Sequence, residues 1–358
     1  MLGRYVEFTS RGVVGIKSYE VPRLQRDEIL VRVRYSAISP GTERANLLGD
    51  FNTETSSKGF PYKPGYSSVG EVIEVGSGVK SLTAGAIVGT MASHRSHVIC
   101  KAPFEDPTDQ CFNSTSTLEA KAQWSWRLPD GVDQDTLRRC AAFIILTVGL
   151  YGAAQANISI GDTAIVIGLG PIGLSAGQFA RIAGAMPVIG VAPSVERRQA
   201  ALLAGFDTAL PNIEQLPELL PRSSGQTVVI EASGVASGVI SALKACPKGA
   251  RLVLLGSTRS LIEEIDFYSE IHRKAITIVG AHQPTRAIID QGHSLWKQYW
   301  DAAMTLRMIL SKRLVADSYV THVEPVHRIQ RAYELICGAN KPLGVILDWC
   351  QYDLPQNS

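Results

Sequence analysis

The sequence predicts an α/β protein of two domains, one β-rich and one built on a doubly wound parallel sheet. Three observations carry that expectation. The chain has 358 residues, and at roughly 100–200 residues per domain that length suits two domains. Residues 1–100 alternate apolar and polar side chains between dense turn signals. From about residue 164 to 280 the texture changes to short apolar runs separated by helix-length segments.

Each element has its own signature. In the first part, 28–39 (EILVRVRYSAIS) and 69–79 (VGEVIEVGSGV) are rich in β-branched residues and read as strands. Pro40-Gly41, Pro64-Gly65 and Gly76-Ser77-Gly78 supply the turn chemistry between them. In the second part, 164–167, Val188–Val191, 228–231, 252–255 and 276–279 are short apolar runs of the kind a parallel sheet buries on both faces. Segments 195–204 and Ala236–Ala245 lie between them as helices, which makes a βαβ series. Beyond Gly292, Trp296, Trp300, Leu306 and Leu310 recur at helical spacings, and 344–349 (GVILDW) reads as a strand. Segment 103–125 is polar and aperiodic and reads as an insertion loop.

Composition narrows the function. With 45% hydrophobic and 19% charged residues, burial is ample and wholesale disorder is excluded. Lys plus Arg is 35 against 33 for Asp plus Glu, with no basic run, so nucleic acid is not an expected partner. Cys100, Cys111, Cys140, Cys246, Cys337 and Cys350 are scattered, with no C-x-x-C pair, and are expected to be reduced thiols in a cytoplasmic protein. The N-terminal MLGRYVEFTSRGVV lacks the apolar stretch of a signal peptide. Stretches 140–161 and 163–180 approach the ~20 apolar residues of a membrane span. Gln155 and Asn157 interrupt the first, and three glycines and a proline the centre of the second, so a buried helix followed by a buried strand and turn is expected instead.

The sharpest local signal is Gly168-Leu169-Gly170-Pro171-Ile172-Gly173, set between the strand AIVI and a helix expected over Pro171–Ala183. Gly168 allows the tight turn, Gly170 lets backbone approach a pyrophosphate, and Gly173 lets helix and sheet pack closely. Pro171 and Ile172 open the helix, whose free N–H groups and dipole favour an anion. NAD sites place an acid ~20 residues past the first glycine, to grip the ribose 2′-hydroxyl. Here that position holds Ala192, with Ser194, Arg197 and Arg198 close behind, so NADP(H) is the expected cofactor.

With PGYSSVGEV (64–72), ALLAGFD (201–207), EASG (231–234) and KGARLVLLG (248–256), the chain resembles the medium-chain dehydrogenase/reductase family over nearly its full length. The resemblance implies a GroES-like catalytic domain in 1–145 with a return in 291–358, a Rossmann coenzyme-binding domain in 146–290, and a cleft between them. It adds Ser233 and Gly256 to the cofactor-binding residues, and it implies a homodimer acting on a small-molecule substrate.

Family members with catalytic zinc take it from C-G-T-D and G-H-E phrases and a third Cys or Glu. These positions read Pro40-Gly41-Thr42-Glu43, Gly65-Tyr66-Ser67 and Ile144, and only Cys100 and Cys111 lie where a four-cysteine lobe would be, so no zinc is expected. Hydrogen-bond donors must then do the polarising. Thr42 matches the family's relay hydroxyl, Tyr66 stands at the zinc-histidine position and His94 falls near a cleft-forming strand, which makes these three the candidate catalytic residues. Plainer readings stay open: Tyr66 filling the vacated metal hole, His94 simply packed, and Glu43 in structural hydrogen bonding, while Ala45 occupies the relay histidine's position.

The phrase Ile38-Ser39-Pro40-Gly41-Thr42-Glu43 with PGYSSVGEV is similar to a zinc-free branch that includes bacteriochlorophyllide hydroxyethyl dehydrogenases. That resemblance implies NADP(H)-dependent hydride transfer to or from a secondary alcohol or ketone of a specialised metabolite. The alternatives are conjugate reduction of an enone or quinone, where Phe51 takes the place of the enoyl reductases' tyrosine, and a dinucleotide-binding protein without turnover.

Overall fold

A computed structural model describes residues 1–103, 124–220, 225–263, 265–285 and 298–350. The chain folds as two compact units, Met1–Ile144 with Ala287–Ser358, and Ile145–Arg286.

The first unit opens with an antiparallel pair, β1 (Leu2–Ser10) and β2 (Val13–Glu20). β3 (Glu28–Ile38) is its spine, eleven residues long, and ends at α1 (Pro40–Leu48). Proline at the helix start lacks only an N–H that would have no partner, and Gly49, at φ 63°, closes the helix in the left-handed region. α2 (Glu54–Lys58) follows under a reciprocal Thr53/Ser56 cap. Next come β4 (Ser68–Val75), β5 (Ile87–Thr90), β6 (His97–Lys101), β7 (Ser125–Arg127) and α3 (Gln134–Cys140), and α4 (Phe143–Ala156) carries the chain into the second unit. The end of the expected 103–125 loop is therefore strand, since Thr90 pairs with Ser125; residues 104–123 lie outside the described ones.

In the second unit β8 (Thr163–Ile167) leads through α5 (Pro171–Ala183), β9 (Val188–Val191), α6 (Val195–Leu203), β10 (Thr208–Leu210), α7 (Leu216–Leu219), β11 (Thr227–Glu231), α8 (Ala236–Ala245) and β12 (Arg251–Leu254) to β13 (Thr277–Gly280). All pairs are parallel and the order is β10-β9-β8-β11-β12-β13, a Rossmann sheet whose winding reverses between β8 and β11. Three-residue β10 is too short to show a pattern in sequence. The run at 276–279 does form a strand, but it is an edge, with Thr277, Ile278 and Gly280 exposed rather than buried on both faces. Ile165, Ile189, Val229, Leu243 and Leu252 make the core, each burial contributing about 1.5–3 kcal/mol.

The chain then returns to the first unit with α9 (Gln298–Leu310), β14 (His322–Pro325), α10 (Ile329–Cys337) and β15 (Val345–Asp348). β15 lies antiparallel to β3, Leu347 opposite Ser36, in a sheet ordered β14-β15-β3-β4-β5-β7 with β6 also on β3. The expected helix after Gly292 is α9, and Trp296 lies outside the described residues. Among the described residues no single helix is long and apolar enough to cross a membrane; charge-poor α4 meets α3 at 52°.

Candidate active site

The coenzyme unit carries a nucleotide cradle at the carboxyl end of its sheet. Gly168 leaves β8 at φ 91°, a conformation side chains rarely adopt. A Cβ on Gly173 would lie 1.8 Å from the Gly168 carbonyl oxygen, so only glycine lets α5 approach. Gly170 is the cap of α5 and no side chain caps that helix, which leaves the amides of Ile172 and Gly173 without helical acceptors behind Pro171. Ser233 and Gly256 belong to the same corner: a Cβ on Gly168 would meet Ser233 Cα at 2.5 Å, and one on Gly256 would meet the Gly234 amide at 2.6 Å. The cradle fits a dinucleotide pyrophosphate.

The four residues expected at the ribose end part company. Ala192 is buried and presents no acid. Ser194 caps α6, accepting from the Arg197 amide at 3.2 Å and donating to Glu196 at 2.6 Å, so its hydroxyl is already engaged. Arg198 spends Nη1 on the Ala192 and Pro193 carbonyls, at 2.8 and 2.6 Å, and braces the turn. Arg197 differs. Its Nη1 lies 3.8 Å from where a Cβ on Gly170 would be, it is half-buried, and among the described residues its guanidinium has no acceptor. Burial alone pushes its pKa down from the usual range. An unpaired, partly desolvated cation beside a phosphate cradle is an anion site in waiting.

In the first unit the start of α1 faces the loop that carries Tyr66. The hydroxyls of Ser39 and Thr42 hydrogen-bond the Tyr66 phenol, so Thr42 and Tyr66 are brought together, with Ser39 added. Burial pushes the phenol up to about 12, the Glu43 carboxylate adds to the rise, and the two hydroxyls pull against it. Asn46 holds the helix turn by donating to the Thr42 carbonyl at 2.9 Å.

His94 is not with them. It has no exposed surface, and both ring nitrogens are taken, Nδ1 by Ser36 at 2.8 Å and Nε2 by Glu43 at 3.0 Å. Ser36 in turn accepts from Trp349 Nε1 at 2.9 Å, so the imidazole is bound on both sides within a buried polar network. Glu43 also accepts from the Ser39 amide at 2.8 Å and from the Tyr333 hydroxyl at 2.5 Å. Of the three candidate catalytic residues His94 is therefore the one set apart, with both ring nitrogens engaged inside the protein, the arrangement of the plainer reading in which it is simply packed. Ser36, Tyr333 and Trp349 carry no sequence signal, since the last two lie 290 and 313 residues from their partners.

The donor set does not fit zinc. Among the described residues no three His, Cys, Asp or Glu side chains gather as ligands. Proline and isoleucine cannot ligate, Tyr66 at about 12 keeps its proton, and burial pushes the Cys100 thiol up to about 12. Cys111 lies outside the described residues.

A Rossmann sheet with a glycine-lined helix mouth, in a chain that also carries a hydroxyl-lined β-rich unit, defines a dinucleotide-dependent oxidoreductase. Residues 25–131 match the family model of the alcohol dehydrogenase GroES-like domain, and residues 171–302 that of the zinc-binding dehydrogenases. Sorbitol dehydrogenase of Rattus norvegicus is 25% identical over 93% of this chain and 92% of its own. Galactitol-1-phosphate dehydrogenase of Escherichia coli superposes with a TM-score of 0.75 at 19% identity, covering 96% of this chain and 99% of that one. A protein classed as a zinc-binding dehydrogenase from Sinorhizobium meliloti, solved with NADP bound, does so with a TM-score of 0.72 at 20% identity, over 97% and 99%. The chain belongs to the medium-chain dehydrogenase/reductase family and is an oxidoreductase of it.

Proposed function

We propose that the protein is an NADP(H)-dependent, zinc-independent oxidoreductase that interconverts a secondary alcohol and a ketone on a specialised metabolite. The Ser39–Thr42–Tyr66 hydroxyl cluster, with Tyr66 at the position where the family's zinc enzymes carry a histidine ligand and Thr42 at that of their relay hydroxyl, supports this reading above any other observation. Bound nicotinamide supplies or accepts the hydride. Tyr66 Oη, protonated at neutral pH, donates a hydrogen bond to the carbonyl oxygen and gives up its proton as the adjacent carbon is reduced. Ser39 and Thr42 stabilise the phenolate left behind and pass a proton back to it.

Arg197 is the residue assigned to the 2′-phosphate, with Ala192 opposing it with no charge. The polyol substrates named for the rat and E. coli relatives support an alcohol or ketone as the reacting group. The exposed edge of β13, with Ile278 exposed, is where we place the contact of a homodimer.

The test is NADPH oxidation by EDTA-treated protein across a panel of ketones, enones and quinones. Turnover with ketones alone supports the proposal. Turnover with enones or quinones alone replaces it by conjugate reduction, and tight NADPH binding with no turnover replaces it by a binding function.

A further inference from the structure

Glu231 ends β11 with no exposed surface, yet its Oε2 has no hydrogen-bond partner. Its Oε1 accepts from the Ser233 amide at 2.7 Å and from the Ser233 hydroxyl, and the Gly234 amide also bonds the carboxyl. A buried acid with one idle oxygen is costly to keep, so the other oxygen's task must account for it. The surroundings are shaped to admit the group: a Cβ on Gly238 would lie 2.9 Å from Oε1, and one on Gly256 2.8 Å from Oε2. The turn that the carboxyl ties, 232–234, backs the cradle. Ser233 sits against Gly168, Ala232 Cβ lies 3.3 Å from where a Cβ on Gly173 would be, and the Ala232 amide donates to the Ile167 carbonyl at 2.8 Å.

We propose that Glu231 is a positioning residue of the dinucleotide site, its Oε1 holding turn 232–234 against Gly168 so that the cradle is formed before the nucleotide arrives. The proposal rests on reading this unit as an NADP(H) site. The side chain works by accepting hydrogen bonds rather than by charge. Burial pushes its carboxyl above the usual range against the pull of its donors; the geometry asks of Oε1 only that it accept the Ser233 hydrogen bonds, which an amide oxygen of the same shape also does.

The experiment is equilibrium binding of NADPH, read by protein fluorescence, together with thermal melting of the wild type, Glu231→Gln, Glu231→Ala and Ser233→Ala. Glu231→Gln keeps the acceptor, and its Kd stays within about threefold of wild type, whereas Glu231→Ala weakens binding by about tenfold or more in protein that still melts cooperatively. Ser233→Ala removes one donor and raises Kd by about threefold, which decides the question if Glu231→Ala fails to fold. Wild-type Kd in both alanine variants, with only a lower melting temperature, overturns the proposal by showing a plain core role. Equal loss in Glu231→Gln and Glu231→Ala also overturns it, by showing that charge is what matters. Failure of the wild type to bind NADPH overturns the reading of the site and the proposal with it.

Discussion

Tyr333 in α10 donates its phenol to Glu43 in α1 at 2.5 Å, joining residues 290 positions apart inside the first unit. With the Ser39 amide and His94 Nε2 it gives the carboxylate three donors, a set that leaves little freedom to the helix carrying Thr42. Tyr333→Phe removes one bond to a buried acid and is expected to cost about 1.5–3 kcal/mol of stability. Urea unfolding followed by circular dichroism measures it, and an unchanged midpoint contradicts the assigned bond.

Tyr66→Phe is expected to lower kcat for ketone reduction by about 10²–10⁴-fold, the usual worth of a positioned proton donor, with KM changed only a few-fold. Steady-state kinetics with NADPH in excess provide the check. A kcat within twofold of wild type would show that Tyr66 merely fills space.

The same phenol sets an alkaline limit. Its folded pKa is raised from 10.0 to about 12, so the native state holds a proton that the unfolded chain gives up above pH 10. Its contribution is therefore complete below pH 10 and is lost as pH climbs toward 12. Melting temperatures measured from pH 8 to 11.5 should fall less steeply for Tyr66→Phe than for wild type.

Arg197→Ala is expected to weaken NADPH by about ten- to a hundredfold and leave NADH nearly unchanged, as loss of one charged fork on a phosphate requires. Arg198→Ala, which loses a brace on the turn, should weaken both cofactors alike. Titration calorimetry with each nucleotide separates the two patterns, and a matched loss of NADH and NADPH in Arg197→Ala rules out the 2′-phosphate role.

Metal removal offers a fifth contrast. Dialysis against EDTA should leave ketone reduction at its original rate, and mass-spectrometric metal analysis should find well under one zinc per chain. One tightly held equivalent would contradict the donor chemistry described above.

The cradle was legible in sequence because its parts are local: Gly168 to Gly173 lie on one turn, and α5 runs over the residues expected, Pro171–Ala183. Central strands such as β8 and β11 announced themselves by unbroken apolar runs. Of the edge strands, β10 at three residues was too short to leave a pattern, while β13 was expected from its apolar run but lies exposed at the edge instead of buried on both faces. At the ribose end the spacing marked Arg197 and Arg198 equally, and only geometry showed which guanidinium points at Gly170 and which is tied to carbonyls. Glu43 looked structural in sequence, and its three donors agree, but Tyr333 and Trp349 reach the network through tertiary folding that no local spacing encodes.

The way the chain is threaded sets an order of birth. The coenzyme unit is one continuous stretch, Ile145–Arg286, complete once that segment has left the ribosome. Its neighbour must wait for Tyr333 and Trp349, which are made after the whole coenzyme unit and finish the polar knot around Glu43 and Ser36. A nascent chain can thus hold a formed nucleotide-binding body while Glu43 and the helix carrying Thr42 are still unsupported, and loss of the segment that carries Tyr333 and Trp349 should disarm the proposed chemistry before it abolishes nucleotide capture.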